Sequence, residues 1–283
     1  MKKRFFSMLF ILALCFAFTV SAFAEAVQYI GIGTREITLT GSGASFSCEG
    51  VRAEGSVITI FEPGEYPVSG TLDDGQIIVD TGYSIEKTSI TLSGASVTCL
   101  NDAAIYVRQA EKVKIYMAEG TENTVTSGKE EMLAAFSKDN TGAAIYAEDD
   151  LDIKGPGVLL VNGYINNGIM CKDDLDLDGG TLIVFAANNG IRGSESIEIH
   201  DGNLTVECGN DALKTTSTKV GKGFIEIDSG KNLLQAGGNG ISAQTDVTVL
   251  GGETVIESQK TPVKLGGNLS VSGGSLIGNG VAF

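Results

Sequence analysis

The chain contains no tryptophan, four prolines, a single histidine (His200) and no C-x-x-C pair. Lacking tryptophan weakens any scheme in which sugars stack on a broad flat ring. One histidine and no Cys/His cluster leave a zinc site unsupported. No nucleophile motif, phosphate loop or dinucleotide fingerprint is present. Basic residues are scarce, 20 Lys and Arg against 35 Asp and Glu, for a formal net charge of -15. That excess argues against nucleic acid, which needs a basic face. Cations, or polyanions bridged through cations, suit it better. Beyond the first 24 residues no stretch reaches the ~18 apolar residues of a membrane span. No helical pattern of useful length appears there either.

What is present begins with a leader, MKKRFFSMLFILALCFAFTVSAFA. Lys2, Lys3 and Arg4 precede an apolar run that ends in Ala22-Phe23-Ala24. This is a secretory signal peptide over 1–24, so the mature protein is expected to be secreted and soluble. Losing those three cations takes the mature charge to about -18. Residues 25–34 read as an N-terminal extension, and 35–283 as one domain. Four cysteines remain, Cys48, Cys99, Cys171 and Cys208. The last two fall in register with inward apolar positions and read as buried small hydrophobes.

The second half repeats with a period of about 22 residues, in segments starting at Asn166, Asn188, Asn210, Gly238 and Lys260. The third segment carries an insertion near Ser217–Lys222. A fixed period of this size means a stacked solenoid. Within each repeat three short runs alternate apolar and polar residues, as strands buried on one face do. Glycines at 180, 202, 230, 252 and 274 mark the corner between second and third strands. Three strands per turn, short corners and no helices predict an all-β parallel β-helix. Its inward ladders are Ile145, Ile169, Ile191, Leu213, Ile241, Val263 and Ile153, Leu177, Ile199, Ile227, Val249, Val271. Residues 118–140 break the period and read as a lateral loop able to wall a groove. Residues 25–54 are expected to cover one end, with no obvious cap at Phe283.

A solenoid turns each repeat position into a straight column of side chains. Asp149, Asp173 and Glu195 stack at the corner between first and second strands, as do Asp150 and Asp174. Carboxylates one rung apart repel. Water, raised pKa values or a hard cation such as Ca2+ can relieve that, and a solvated acidic edge is the plainer alternative. A second acidic column, Asp152, Asp176, Glu198 and Glu226, faces out from the second strand. Asn167, Asn189, Asp211 and Asn239 precede the first strand, where amides form an internal ladder or lend oxygens to a metal. Arg192 and Lys214 face out from the first strand, positioned to hold a carboxylate-bearing sugar. His200 has no catalytic partner in register and is assigned no role.

The stretch Gly64–Leu72 followed by Asp74–Asp80 resembles a family of secreted bacterial carbohydrate-binding domains with a polysaccharide-lyase-like β-helix. So do Ala143-Ala144-Ile145-Tyr146 leading into Asp149-Asp150-Leu151, and Asn166-Asn167-Gly168-Ile169 leading into Lys172-Asp173-Asp174-Leu175. The resemblance implies a right-handed, pectate-lyase-like solenoid that binds Ca2+ and polygalacturonate, with cellulose as a second glycan. It carries the metal-binding aspartates onto Asp149, Asp150, Asp173 and Asp174. Asn189, Asp211 and Glu195 complete the expected metal set, and Arg192, Lys214 and Lys172 the expected sugar set. The family's usual aspartate is replaced at Asn189, and Ser196 stands where a further acid is common. The expectation is a monomeric, non-catalytic binder. The alternatives are a calcium-dependent lyase with Lys214 or Arg192 as base, and a structural or adhesin solenoid.

Overall fold

The computed structural model describes residues 35–131 and 142–283. The leader, 25–34 and part of the expected lateral loop lie outside them. Residues 35–283 form one compact unit with no α-helix among the described residues. Strands stack in parallel into a 10-stranded sheet of first strands and a 17-stranded sheet that merges second and third strands.

Both predicted ladders are in register. Ile145 pairs with Ile169, Ile191 follows, then Leu213, Ile241 and Val263. Ile153 continues through Leu177, Ile199, Ile227, Val249 and Val271. Residues in the middle of each ladder are fully or nearly fully buried. Removing such a side chain from water contributes about 1.5–3 kcal/mol, and only a neighbouring turn can cover it.

The second and third strands are less separate than the repeat suggested. Asp174–Ala186 and Ser196–Cys208 each run unbroken through the glycine corner. The corner is a bend within a strand, because Gly180 has φ +67° and Gly202 φ +106°. A Cβ on Gly180 would lie 2.3 Å from the Gly155 carbonyl oxygen of the turn below. Glycine there allows both the bend and the close stacking.

The period break at 118–140 is also only partly a loop. Glu122–Ser127 is a third strand paired with Val158–Gly163. Both ends of the stack finish in antiparallel pairs. Ile37–Leu39 pairs with Ala44–Phe46, Val51–Glu54 with Val57–Ile60, and Val281–Ala282 folds back on Ile277–Gly278. The capping strand at the last turn went unseen in the sequence.

Cys171 and Cys208 are buried as expected, and all four described cysteines are free thiols. Burial pushes Cys171 up to about 12 and Cys208 up to about 11. At pH 8 a thiol reagent should therefore label the partly exposed Cys48 and Cys99 in the native protein, but Cys171 and Cys208 only in denaturant. Equal labelling of all four without denaturant would contradict this packing.

Candidate metal and glycan site

The acidic corner lies where each first strand hands over to the second. It is pinned from within by the Cys171 thiol, which donates to the carbonyl oxygens of Asp149 (3.2 Å) and Asp174 (3.3 Å). Asp149 Oδ2 accepts the Ala110 N–H at 2.8 Å, and Asp150 Oδ1 accepts the Asp174 N–H at 3.3 Å. Among the described residues the Asp173 carboxylate has no hydrogen-bond or ion-pair partner. Burial, then the charges of Glu195, Asp150 and Asp149, raise its pKa above the usual carboxylate range. Burial likewise raises Asp150, with Asp174 adding to it and the Asp174 N–H opposing.

One turn further on the corner has its own cations. The insertion predicted at Ser217–Lys222 lies against it. Lys222 Nζ reaches Asp174 Oδ2 at 2.7 Å and Glu195 Oε2 at 3.1 Å, and Lys219 Nζ also pairs with Glu195. These lysines hold the Glu195 carboxyl below its ordinary value. Ser196 donates to Asp174 Oδ1 at 2.7 Å. The predicted metal column thus divides into Asp149, Asp150 and Asp173, which make no ion pair among the described residues though lysine charges lie near Asp150 and Asp173, and Asp174 and Glu195, which each pair with a lysine.

Asn189 and Asp211 do not join this corner. They are buried at the other end of the first strand, within the internal ladder. Asn189 Nδ2 donates to Asn167 Oδ1 (2.8 Å), and Asn239 gives Asp211 Oδ1 both its backbone N–H (2.9 Å) and its side-chain amide (2.7 Å). Their side chains take part in the internal ladder, the structural alternative weighed for this column. Lys214 Nζ neutralises Asp211 Oδ2 at 3.0 Å. Burial pushes Asp211 up, but Asn239 and Lys214 prevail and hold it below the usual range.

The outer face of the first sheet carries a column in register: Tyr106, Tyr146, Met170, Arg192, Lys214. The Tyr106 and Tyr146 rings lie 5.4 Å apart at 52°. The lack of tryptophan had hidden this aromatic pair. Its signal was the shared Ile-Tyr step at 105–106 and 145–146. Lys172 pairs with Glu148 at 2.6 Å and lies over the Tyr146 ring. Arg192 has no ion-pair or hydrogen-bond partner among the described residues, and its buried Nε is unsatisfied. An arginine without an acid is unexpected in a chain of net charge -15. Its guanidinium is built to take a planar carboxylate in two parallel hydrogen bonds.

The family described as carbohydrate-binding domain-containing protein matches residues 54–276, nearly all of the stack just described. The chain belongs to that family. A protein of that description from Acetivibrio thermocellus is 39% identical over 138 residues, which are 49% of this chain and 48% of the relative. The chain therefore spans about half the length of that relative. A solved structure, the gadolinium derivative of a polysaccharide lyase-like protein from C. thermocellum, superposes with a TM-score of 0.78 at 33% identity. The match covers 85% of this chain and 99% of that one. The family's lyase-like β-solenoid is thus shared with a solved protein, and its description is that of a binding module.

His200 is better connected than its position in the repeat suggested. Asp178 pairs with Asp201, not with His200, and register returns at Thr181 and Asn203. This bulge leaves His200 without a register partner on that side. Nδ1 lies 2.8 Å from Asp228 Oδ2, and Nε2 lies 3.8 Å from Asp176 Oδ1. The Asp228 hydrogen bond raises the His200 pKa, with Asp176 and Glu198 adding to it against burial. Among the described residues, Asp176, Glu198 and His200 are the group of three whose ligand atoms all lie within 4.8 Å.

Proposed function

We propose that this protein is a secreted, non-catalytic binder of uronate polysaccharide, of the polygalacturonate type, held through calcium ions at the acidic corner. The observation that carries this reading is the trio Asp149, Asp150 and Asp173, crowded on successive turns and, among the described residues, in no ion pair. Calcium takes six to eight oxygens, so a carboxylate column and sugar carboxylates together can fill its shell. The ion supplies the bridge between two polyanions that would otherwise repel. Arg192 then takes a uronate carboxylate directly, with Lys172 and Lys214 beside it. Support comes also from the solved neighbour, a gadolinium derivative. Gadolinium(III) is, like Ca2+, a hard cation that prefers oxygen ligands.

The test is a thermal melt of residues 25–283 in EDTA, in calcium, and in calcium with polygalacturonate. Ligand at a hundred times its Kd stabilises the folded state by about 2.7 kcal/mol. For a domain of this size that is a rise in Tm of roughly 5–10 °C, with a further rise when the glycan is added. Three superimposable curves would overturn the reading and favour the solvated, structural solenoid. A melt with cellulose in place of polygalacturonate tests the second glycan. The same mixtures read for an unsaturated, ultraviolet-absorbing product should stay flat. A growing absorbance would favour the eliminase, with Lys214 or Arg192 as its base.

A further inference from the structure

The group around His200 lies on the outer face of the second strands and plays no part in the calcium reading. Asp176 and Glu198 are register partners on adjacent turns. Each presents an oxygen to the same space as the His200 ring. The Glu198 carboxylate has no hydrogen-bond or ion-pair partner among the described residues. Burial, then the charge of Asp176, raises its pKa.

Two neighbours arrange this trio in the way metal sites are commonly arranged. Asp228 accepts from His200 Nδ1 at 2.8 Å. In the neutral ring that contact selects the tautomer with a bare Nε2, which lies on the side of Asp176, the carboxylate–histidine pairing that orients metal-bound imidazoles. Lys112 Nζ holds Asp176 Oδ2 at 3.0 Å and Asp152 Oδ1 at 2.7 Å. It anchors Asp176 by one oxygen and leaves Oδ1 toward the histidine. In a tetrahedral site with metal–ligand distances of about 2.0–2.2 Å, neighbouring ligand atoms stand about 3.4 Å apart. The Nε2 to Oδ1 separation of 3.8 Å is too long for a hydrogen bond and within a few tenths of an ångström of that value. An imidazole held by Asp228 through one nitrogen, with the other 3.8 Å from Asp176 and a ligand atom within 4.8 Å of a Glu198 oxygen, is what a plain acidic stripe lacks.

We propose that Asp176, Glu198 and His200 bind a borderline divalent transition-metal ion, of the Zn2+ or Co2+ type. One imidazole and two carboxylates suit such an ion and leave at least one coordination position open. A hard ion such as Ca2+ gains little from an imidazole nitrogen, so the two sites sort their ions by ligand chemistry.

The experiment is a titration of residues 25–283 with Zn2+ by calorimetry, in millimolar Ca2+ to occupy the corner. Co2+ serves as an optical probe, since a nitrogen-bound tetrahedral ion absorbs in the visible. One high-affinity equivalent is expected, weakened at least tenfold in His200→Ala and in Glu198→Gln, and about 10–100-fold in Asp228→Asn. Asp149→Asn with Asp173→Asn should leave the Zn2+ isotherm unchanged while abolishing the calcium effect on melting. Failure of either site is thereby distinguishable from failure of the other. Each variant is first melted in EDTA; one that melts like the parent is folded, and Glu198→Gln stands in should His200→Ala not fold. No heat or colour in the parent overturns the proposal. So does Zn2+ binding that survives both His200→Ala and Glu198→Gln, which would point to Cys48, Cys99 or an adventitious ion.

Discussion

Asp211→Ala should cost about 3 kcal/mol of unfolding free energy, while Asp211→Asn should cost only about 1 kcal/mol. The larger loss has a specific origin. Asp211 Oδ1 accepts both N–H groups that Asn239 directs into the stack, and Asp211 is 4% exposed. Alanine leaves two buried donors unsatisfied and frees Lys214. Asparagine keeps an acceptor for Asn239 and loses only the pairing with the lysine. The difference between wild type and Asp211→Asn should depend on pH with a definite sign. The folded carboxyl is held below its ordinary value, so its contribution is complete above the unfolded pKa of about 3.9. It is lost as pH falls through the lower folded value, so the gap between the two proteins should begin to narrow below about pH 4. Urea melts at pH 7 and pH 3 measure both quantities. An equal cost for Ala and Asn at pH 7, or a gap that widens in acid, would count against the ladder.

The second large effect is expected at the insertion. Replacing Lys219 and Lys222 by glutamine removes two positive charges from the edge of the proposed calcium column. Asp174 and Glu195 then join Asp149, Asp150 and Asp173 as carboxylates without an ion pair. Calcium affinity should rise on the order of tenfold at low ionic strength, with a smaller gain in high salt. Without calcium the variant should be no more stable than the parent, because it repels itself more strongly. Calorimetric titration with calcium at two salt concentrations decides the matter. Affinity that stays constant or falls would show that the lysines do not compete with the ion. A rise that is independent of salt would point to rearrangement of the loop.

Much of the stack was legible because a fixed period forces equivalent residues into register. The two isoleucine-rich columns and the paired aspartates needed only alignment of the repeats. The glycine column was legible too, but as a corner, and strands such as Asp174–Ala186 instead bend through it without a break. What stayed hidden lies where the period fails. Lys219 and Lys222 sit in an insertion, so no column predicted that they would meet Asp174 and Glu195. His200 looked unpartnered because alignment sets it opposite Asp178, whereas a bulge shifts the pairing by one residue. Asn189 and Asp211 were ambiguous for a chemical reason. A carboxamide or carboxylate oxygen serves a backbone N–H as readily as a metal, and burial, which decides between them, cannot be read from the repeat alone. Arg192 lies in the predicted register with Met170, but its lack of an ion-pair partner is a matter of side-chain geometry that the repeat does not encode.

The antiparallel strands at the two ends of the stack bear on how such a protein meets a long polymer. A bare parallel rung invites another copy to add on, and a solenoid with two bare rungs would grow into a filament. Here returning strands cover the first turn and the third strand of the last one, while Val263–Leu265 and Leu269–Val271 are paired on one side only among the described residues. The cover is thus heavier at the first turn than at the last, and a row of acids and cations runs along the side of each such segment between its ends. On a polysaccharide such segments would be spaced by the intervals of the sugar chain, as beads on a string whose pitch the string decides.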